Sequence, residues 1–275
     1  MTQIEQYRQF FARSMCAASG GKFTQLEDAV AIVPREKFLG PGPWQIFING
    51  QYLTTPNDNP IFVYNNYLIA LDAEKGINNG ESFLHANWIT GLALQAGDIV
   101  CHVGAGTGYY SALLAHLVAN EGQVLAFEVE PDLAQKASRN LSSYAHVSVH
   151  ATNAVDIILP EADVIYVNAG VPAPPAHWLR ALRTNGRLIF PWRPAENVGV
   201  ALIATRTQNG FAVAPLMRSL FIPCVGVTST ALGPATINPF DAWRVRSIQL
   251  SEEANPDETA IAVFDYVWFS HQPPQ

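Results

Sequence analysis

What this chain lacks narrows it first. Its 275 residues hold only three cysteines, Cys16, Cys101 and Cys224, widely spaced and with no C-x-x-C pair. An odd, scattered count argues against a disulfide framework and makes a reducing cytoplasm the expectation. Charge is scarce too: 14% of residues are charged and the formal net charge is −7. A surplus of acid argues against a nucleic-acid binder built on phosphate contacts. The nearest thing to a basic cluster, Arg180, Arg183 and Arg187, falls at the end of an expected helix, where cations complement the dipole. No apolar run approaches the ~18 residues of a membrane span. Residues 1–20 carry Glu5, Arg8 and Arg13 and no apolar core of signal-peptide length. No Walker loop or G-x-S-x-G elbow occurs. His146 and His150 stand four apart, in a strand-like stretch with no carboxylate or cysteine beside them, so no metal site is expected.

What is present is apolar. Hydrophobic residues make up 49% of the chain, enough for a sizeable core. The most informative stretch runs from Asp98 to Val118. An apolar run ending at Val103 breaks into Gly104-Ala105-Gly106-Thr107-Gly108, and an apolar helical pattern follows from Tyr110. Strand, tight turn, helix is the arrangement in which backbone comes close to a bound cofactor. Glycine is required there because a Cβ would block that approach. A dinucleotide fingerprint would need glycine at 109, where Tyr109 stands. The observed G-x-G-x-G is the form typical of S-adenosylmethionine-dependent methyltransferases.

Around this loop the elements alternate. Helices are expected at 83–95, 109–118 and 131–141, with one starting near Pro174-Pro175. Strands are expected at 99–103, 123–128, 146–150, 162–168 and 187–191. That rhythm implies a parallel sheet covered on both faces. Upstream, an amphipathic helix over 2–18 and a short one over about 26–32 lead into a Gly-, Pro- and Asn-rich segment, 39–80. One or two short strands are expected there, with Ile61-Phe62-Val63-Tyr64 as an apolar piece. Downstream, Asn209-Gly210 joins two apolar runs in an antiparallel hairpin, and a second hairpin is expected at 243–250 and 260–269. The expected fold class is α/β: a Rossmann-like seven-stranded methyltransferase sheet, mostly parallel with an antiparallel C-terminal hairpin. The expected divisions are a cap of helices and irregular chain over 1–82, a cofactor-binding core over 83–225, and a C-terminal β extension over 226–275. That extension would lengthen the sheet or make a homodimer contact through an exposed edge.

Several segments together resemble one family. Val33-Pro34-Arg35-Glu36-Lys37-Phe38 is similar to an N-terminal V-P-R-x-x-F element. The glycine loop with Ala112-x-x-Ala115, Glu128-x-x-Pro131-x-Leu133-Ala134, Pro174-Pro175 and Gly186-Arg187-Leu188 follow in order, then Thr205-Arg206, Gly210-Phe211, Pro215-Leu216 and Phe221-Ile222-Pro223. Over roughly 26–225 the chain resembles the protein-L-isoaspartate O-methyltransferases. It departs in two places. Where the family carries S-x-P-x-x-x-A before the glycine strand, this chain has Gly80-Glu81-Ser82-Phe83-Leu84-His85-Ala86. Where the family usually has G-D-G after the third strand, this chain has Thr152-Asn153-Ala154.

The resemblance implies S-adenosylmethionine as cofactor and a protein or peptide carboxylate as acceptor. Gly104, Ala105, Gly106, Thr107 and Gly108 would approach the methionine and ribose portions, and Glu128 would accept hydrogen bonds from the ribose hydroxyls. Asn153 has a donor and an acceptor for an adenine edge, and is equally a turn residue. Asn168 stands at a strand end, where ligands of such sheets sit, and is equally a strand-end cap. A carboxylate acceptor needs no catalytic base; a hydroxyl or amine would. The acceptor-side candidates are His85 and Ser82. His85 is equally a packed core residue, and Ser82 is equally a cap for the helix that follows. Two alternatives stay open: methylation of a different small-molecule or protein acceptor, and a non-catalytic cofactor-binding scaffold.

Overall fold

The structure is a computed structural model, described over residues 1–21, 23–227 and 237–274. Residues 228–236 of the expected extension lie outside the described residues. The chain forms two compact units, Met1–Gly97 with Ala105–Ala151, and Asp98–Gly104 with Thr152–Gln275.

In the first unit, α1 (Gln3–Ala18) opens on a capping box in which Thr2 and Glu5 exchange bonds. It buries Phe11, Ala12, Met15 and Cys16, and α2 (Thr24–Ile32) packs beside it. Arg35 is fully buried and donates from one terminal nitrogen to the Val63 and Asn65 carbonyls, both at 2.7 Å. That guanidinium ties a 3-10 turn, Pro60–Val63, to the helices. The expected one or two strands in 39–80 are four: β1 (Gln45–Ile48), β2 (Gln51–Thr54), β3 (Leu68–Asp72) and β4 (Ile77–Asn78), in the order β2-β1-β3-β4. Leu39, Trp44, Val63 and Ile69 form their core. Then α3 (Ser82–Leu92) follows β4.

The second unit supplies β5 (Ile99–Val103), which ends in Gly104. Back in the first unit come α4 (Tyr109–Val118), β6 (Gln123–Glu128), α5 (Pro131–Asn140) and β7 (Val147–Ala151), with β6 and β7 parallel. Only His116 of α4 is not buried, which explains why this helix reads as apolar all round.

The rest belongs to the second unit: β8 (Ala162–Val167), α6 (Ala176–Ala181), β9 (Leu182–Trp192), β10 (Val200–Thr207) and β11 (Gly210–Arg218), then β12 (Ser247–Leu250), β13 (Ala260–Val263) and β14 (Val267–Ser270). Within it the strands run β13-β14-β12-β11-β10-β9-β8-β5. β5, β8 and β9 are parallel, and from β9 outward every pair is antiparallel. β5 to β11 are seven strands of the expected Rossmann-like kind, and the extension lengthens the ladder beyond β11.

Candidate active site

In the first unit the glycine loop is held from beneath by β6. Ala105 N–H donates to the Phe127 carbonyl at 3.1 Å, and Gly106 N–H donates to Glu128 Oε2 at 2.6 Å. The other carboxylate oxygen accepts from Glu130 N–H at 2.9 Å. Glu128 is only 6% exposed. Burial pushes its carboxyl above the usual range, and the Glu130 and Gly106 N–H groups pull against that. Gly106 and Gly108 have φ of +58° and +94°, values that strain any residue with a Cβ. Gly108 is the N-cap of α4, and a β-carbon there would lie 2.7 Å from Leu141 Cδ1. The Thr107 carbonyl accepts from Asn140 Nδ2 at 2.9 Å, so α5 also steadies the loop. β3 reaches over it: Leu71 Cδ1 lies 3.3 Å from where a Gly106 β-carbon would stand. Lys75, in the turn from β3 to β4, pairs with Glu130.

In the second unit, Gly104 has φ of +75° and a Cβ there would rest 3.5 Å from Asn168. Asn168 N–H donates to the Val103 carbonyl at 2.8 Å, fixing the end of β8 beside the end of β5. Its Nδ2 donates to His102 Nε2 at 2.8 Å. His102 is fully buried, and burial pushes its imidazole down to about 3, so the ring is neutral and can accept at Nε2. Asn168 Oδ1 is then left buried without a partner, an acceptor held in fixed orientation at a strand end. The sequence reading missed His102; a histidine inside an otherwise apolar strand was its one signal.

Asn153 is bonded on both sides within the second unit. Its Oδ1 accepts from Val155 N–H and its Nδ2 donates to the Val225 carbonyl, both at 3.1 Å. The turn role weighed from the sequence is the one seen. His150 stacks on Phe127 with 5.0 Å between centroids, and His146 Nε2 meets the Ala115 carbonyl at 3.0 Å.

Ser82 and His85 both belong to the start of α3, in the first unit. Ser82 is the first helical residue, Glu81 precedes it as N-cap, and neither side chain caps the helix. The free N–H of Phe83 is instead taken by Asn66 Oδ1 at 2.7 Å. The capping role weighed for Ser82 is thus filled by Asn66, seventeen positions before Phe83, which local spacing cannot reveal. Ser82 is fully buried and its hydroxyl has no partner. His85 is buried and stacks on Tyr110.

The chain is similar to known proteins of one family. The profile of the family described as Protein-L-isoaspartate(D-aspartate) O-methyltransferase (PCMT) matches residues 49–229. Protein-L-isoaspartate O-methyltransferase 2 of Anaeromyxobacter sp. (strain Fw109-5) is 27% identical over 80% of this chain and 83% of its own length. The protein-L-isoaspartate O-methyltransferase of Ignicoccus hospitalis is 25% identical over 81% of this chain and 99% of its own. A solved protein-L-isoaspartate O-methyltransferase shares the fold with a TM-score of 0.66 at 18% identity, over 96% of this chain and 87% of that one. A Plasmodium falciparum protein assigned as a β-aspartate methyltransferase, solved with S-adenosyl-L-homocysteine, superposes with a TM-score of 0.64 at 17% identity, over 79% of this chain and 97% of its own. A glycine loop latched to a buried strand-end carboxylate, on a Rossmann-like α/β fold and inside a family match of this length, leaves one conclusion: the chain belongs to the protein-L-isoaspartate O-methyltransferase family and is an S-adenosylmethionine-dependent methyltransferase.

Proposed function

We propose that this protein methylates the carboxylate of isoaspartyl residues in proteins or peptides. The observation that carries the reading is Glu128, a buried carboxylate at the end of β6 bonded across the glycine loop to Gly106 N–H. The residues present fit S-adenosylmethionine. In the first unit Gly106 and Gly108 take positive φ and have no side chain to block close approach, and Glu128 offers acceptor oxygens for ribose hydroxyls; in the second unit Gly104 takes positive φ and Asn168 Oδ1 is an unpaired acceptor. Ala105 and Thr107 contribute backbone to the same loop. Asn153 would have to release one of its loop bonds to read adenine.

When bound, the cofactor supplies an electrophilic methyl group on a sulfonium, which leaves as a neutral thioether. The protein's own part is alignment and exclusion of water. An ionised carboxylate is already a nucleophile, so no residue has to remove a proton. Holding its oxygen in line with the methyl group removes the entropic part of the barrier. Desolvation is tolerable because transfer neutralises both charges. The start of α3, with Ser82 and His85, is where we place the acceptor.

A second reading keeps the cofactor and changes the acceptor; the absence of a side chain at Gly80 favours it. The test is transfer of labelled methyl to an isoaspartyl peptide, with the matching aspartyl peptide as control. Base-labile label on the isoaspartyl peptide alone is the expected result. Folded protein that binds S-adenosylhomocysteine and labels neither peptide would sink the isoaspartyl reading in favour of the second.

A further inference from the structure

At the end of α4 far from the glycine loop, the first unit holds a cavity of about 440 Å³. It lies between the last turn of α4 and residues 143–146, the approach to β7. Its polar lining is His116, Asn120, Ser143, Tyr144 and His146, and alanines make up the rest. No lysine, arginine or carboxylate lines it. The last carbonyls of an α-helix are the negative pole of its dipole, so this end of α4 favours a cation over an anion. His146 Nε2 lies 3.0 Å from the Ala115 carbonyl. A carbonyl only accepts, so Nε2 carries the proton and Nδ1 of the neutral ring keeps its lone pair. Metal-ligating histidines are held in this way, with the second ring nitrogen donating to a backbone carbonyl and fixing the tautomer. His116 follows Ala115 directly and is exposed on the rim of the same cavity. Its ring stands edge-on to Tyr144, with centroids 5.7 Å apart and planes at 87°. Burial and the charge of the nearby His146 push the His116 imidazole below its ordinary value, so this ring offers a lone pair at neutral pH. Spacing along the chain couples His146 to His150. The fold couples it to His116 instead, while His150 meets Ser148 and stacks on Phe127.

We propose that His116 and His146 form a site for a divalent transition-metal ion, bound by a His116 ring nitrogen and by His146 Nδ1. Imidazole suits zinc, copper or nickel, whereas calcium and magnesium select oxygen donors. Among the described residues no third histidine, cysteine or carboxylate joins the pair, so water or a donor from outside fills the remaining positions. Asn120 and Ser143 line the same space and can bond such a water. The exposed His116 side chain turns to complete the pair, and the ion then ties the end of α4 to the start of β7.

Calorimetric titration of the whole protein with zinc chloride tests this, with magnesium chloride as the control. Zinc binding, a melting midpoint raised by zinc and no response to magnesium are expected. His116→Ala removes one donor from an exposed position. His146→Gln removes the other and leaves an amide able to donate to the Ala115 carbonyl. Each variant should bind zinc at least tenfold more weakly, the loss that follows even when only the partner of a metal ligand is removed. If His146→Gln does not fold, His116→Ala decides alone. Zinc held by the three cysteines would survive both substitutions, so native zinc affinity in a folded variant overturns the proposal. No zinc binding by the unaltered protein, or magnesium binding of equal strength, overturns it as well.

Discussion

Glu128 shows how much one residue can carry. Its two oxygens already accept two backbone N–H groups while its burial disfavours the charge. In the proposed ribose role, the diol would donate to the ionised form, so the carboxyl would have to give up its proton for the cofactor to bind well. Because burial raises its pKa, that proton is held to a higher pH than on an exposed glutamate. Affinity for S-adenosylhomocysteine is therefore expected to rise with pH through a window above the ordinary carboxylate range. Glu128→Ala should weaken binding by ~1–3 kcal/mol, the loss of charge-assisted hydrogen bonds, and flatten the rise. Calorimetric titration at a series of pH values checks both; an unchanged slope in the variant removes Glu128 from the ribose site. At this scale the loop was legible: alternating glycines predict a turn that needs positive φ, and Gly104, Gly106 and Gly108 take it. Asn153 was not legible, because local spacing shows neither which side its amide turns nor its bond to the distant Val225 carbonyl.

The element that covers the loop is the β3–β4 hairpin. Leu71 lies over Gly106, and Lys75 at its turn pairs with Glu130, two residues beyond Glu128. These partners are 55% and 30% exposed, so water and salt screen the pair and it adds little to stability. Its weight falls instead on how long the hairpin stays down. Lys75→Ala should leave the melting temperature within ~2 °C, a shift in keeping with that small energy, and speed S-adenosylhomocysteine release several-fold. Stopped-flow dissociation at low and high salt is the check; identical release rates at low salt would show that the hairpin is no lid. The sequence reading underestimated this region. Asn49-Gly50 is a hairpin signal, and both residues take the positive φ of such a turn. Ile61 to Tyr64 reads only as an apolar piece. Asn59-Pro60 starts a helical turn instead: the Asn59 side chain accepts from Ile61 N–H, and proline suits the first position. Likewise 260–269 is not one strand. Phe264 N–H bonds the Val267 carbonyl at 2.9 Å, and that tight turn splits the run into β13 and β14. Runs of apolar residues give strand propensity but not the local hydrogen bonds that interrupt it.

For the molecule as a whole, the least legible part is the C-terminal stretch, since the family match ends at residue 229 while the second unit runs on to Gln275. The structure gives that stretch a share of the core. Trp192 of β9 and Phe269 of β14 stack with centroids 4.6 Å apart, and both are fully buried. β12 pairs with β11 on one side and β14 on the other. Tyr266 reaches back to the Ala173 carbonyl at 3.3 Å. These are contacts of a ladder grown outward from the parallel strands, and we propose that β12, β13 and β14 fold only as part of it. Phe269→Ala should cost about 3–5 kcal/mol, the range for emptying an aromatic site in a core. In a thermal melt that appears as a large fall in midpoint. A chain ended after Arg246 loses the same aromatic together with β12, β13 and β14, and should expose the Trp192 face of the second unit. Hydrogen exchange would then show β9 to β11 losing protection. Native protection in the shortened chain would mean that the β12–β14 stretch is an independent appendage, with Trp192 packed well enough without it.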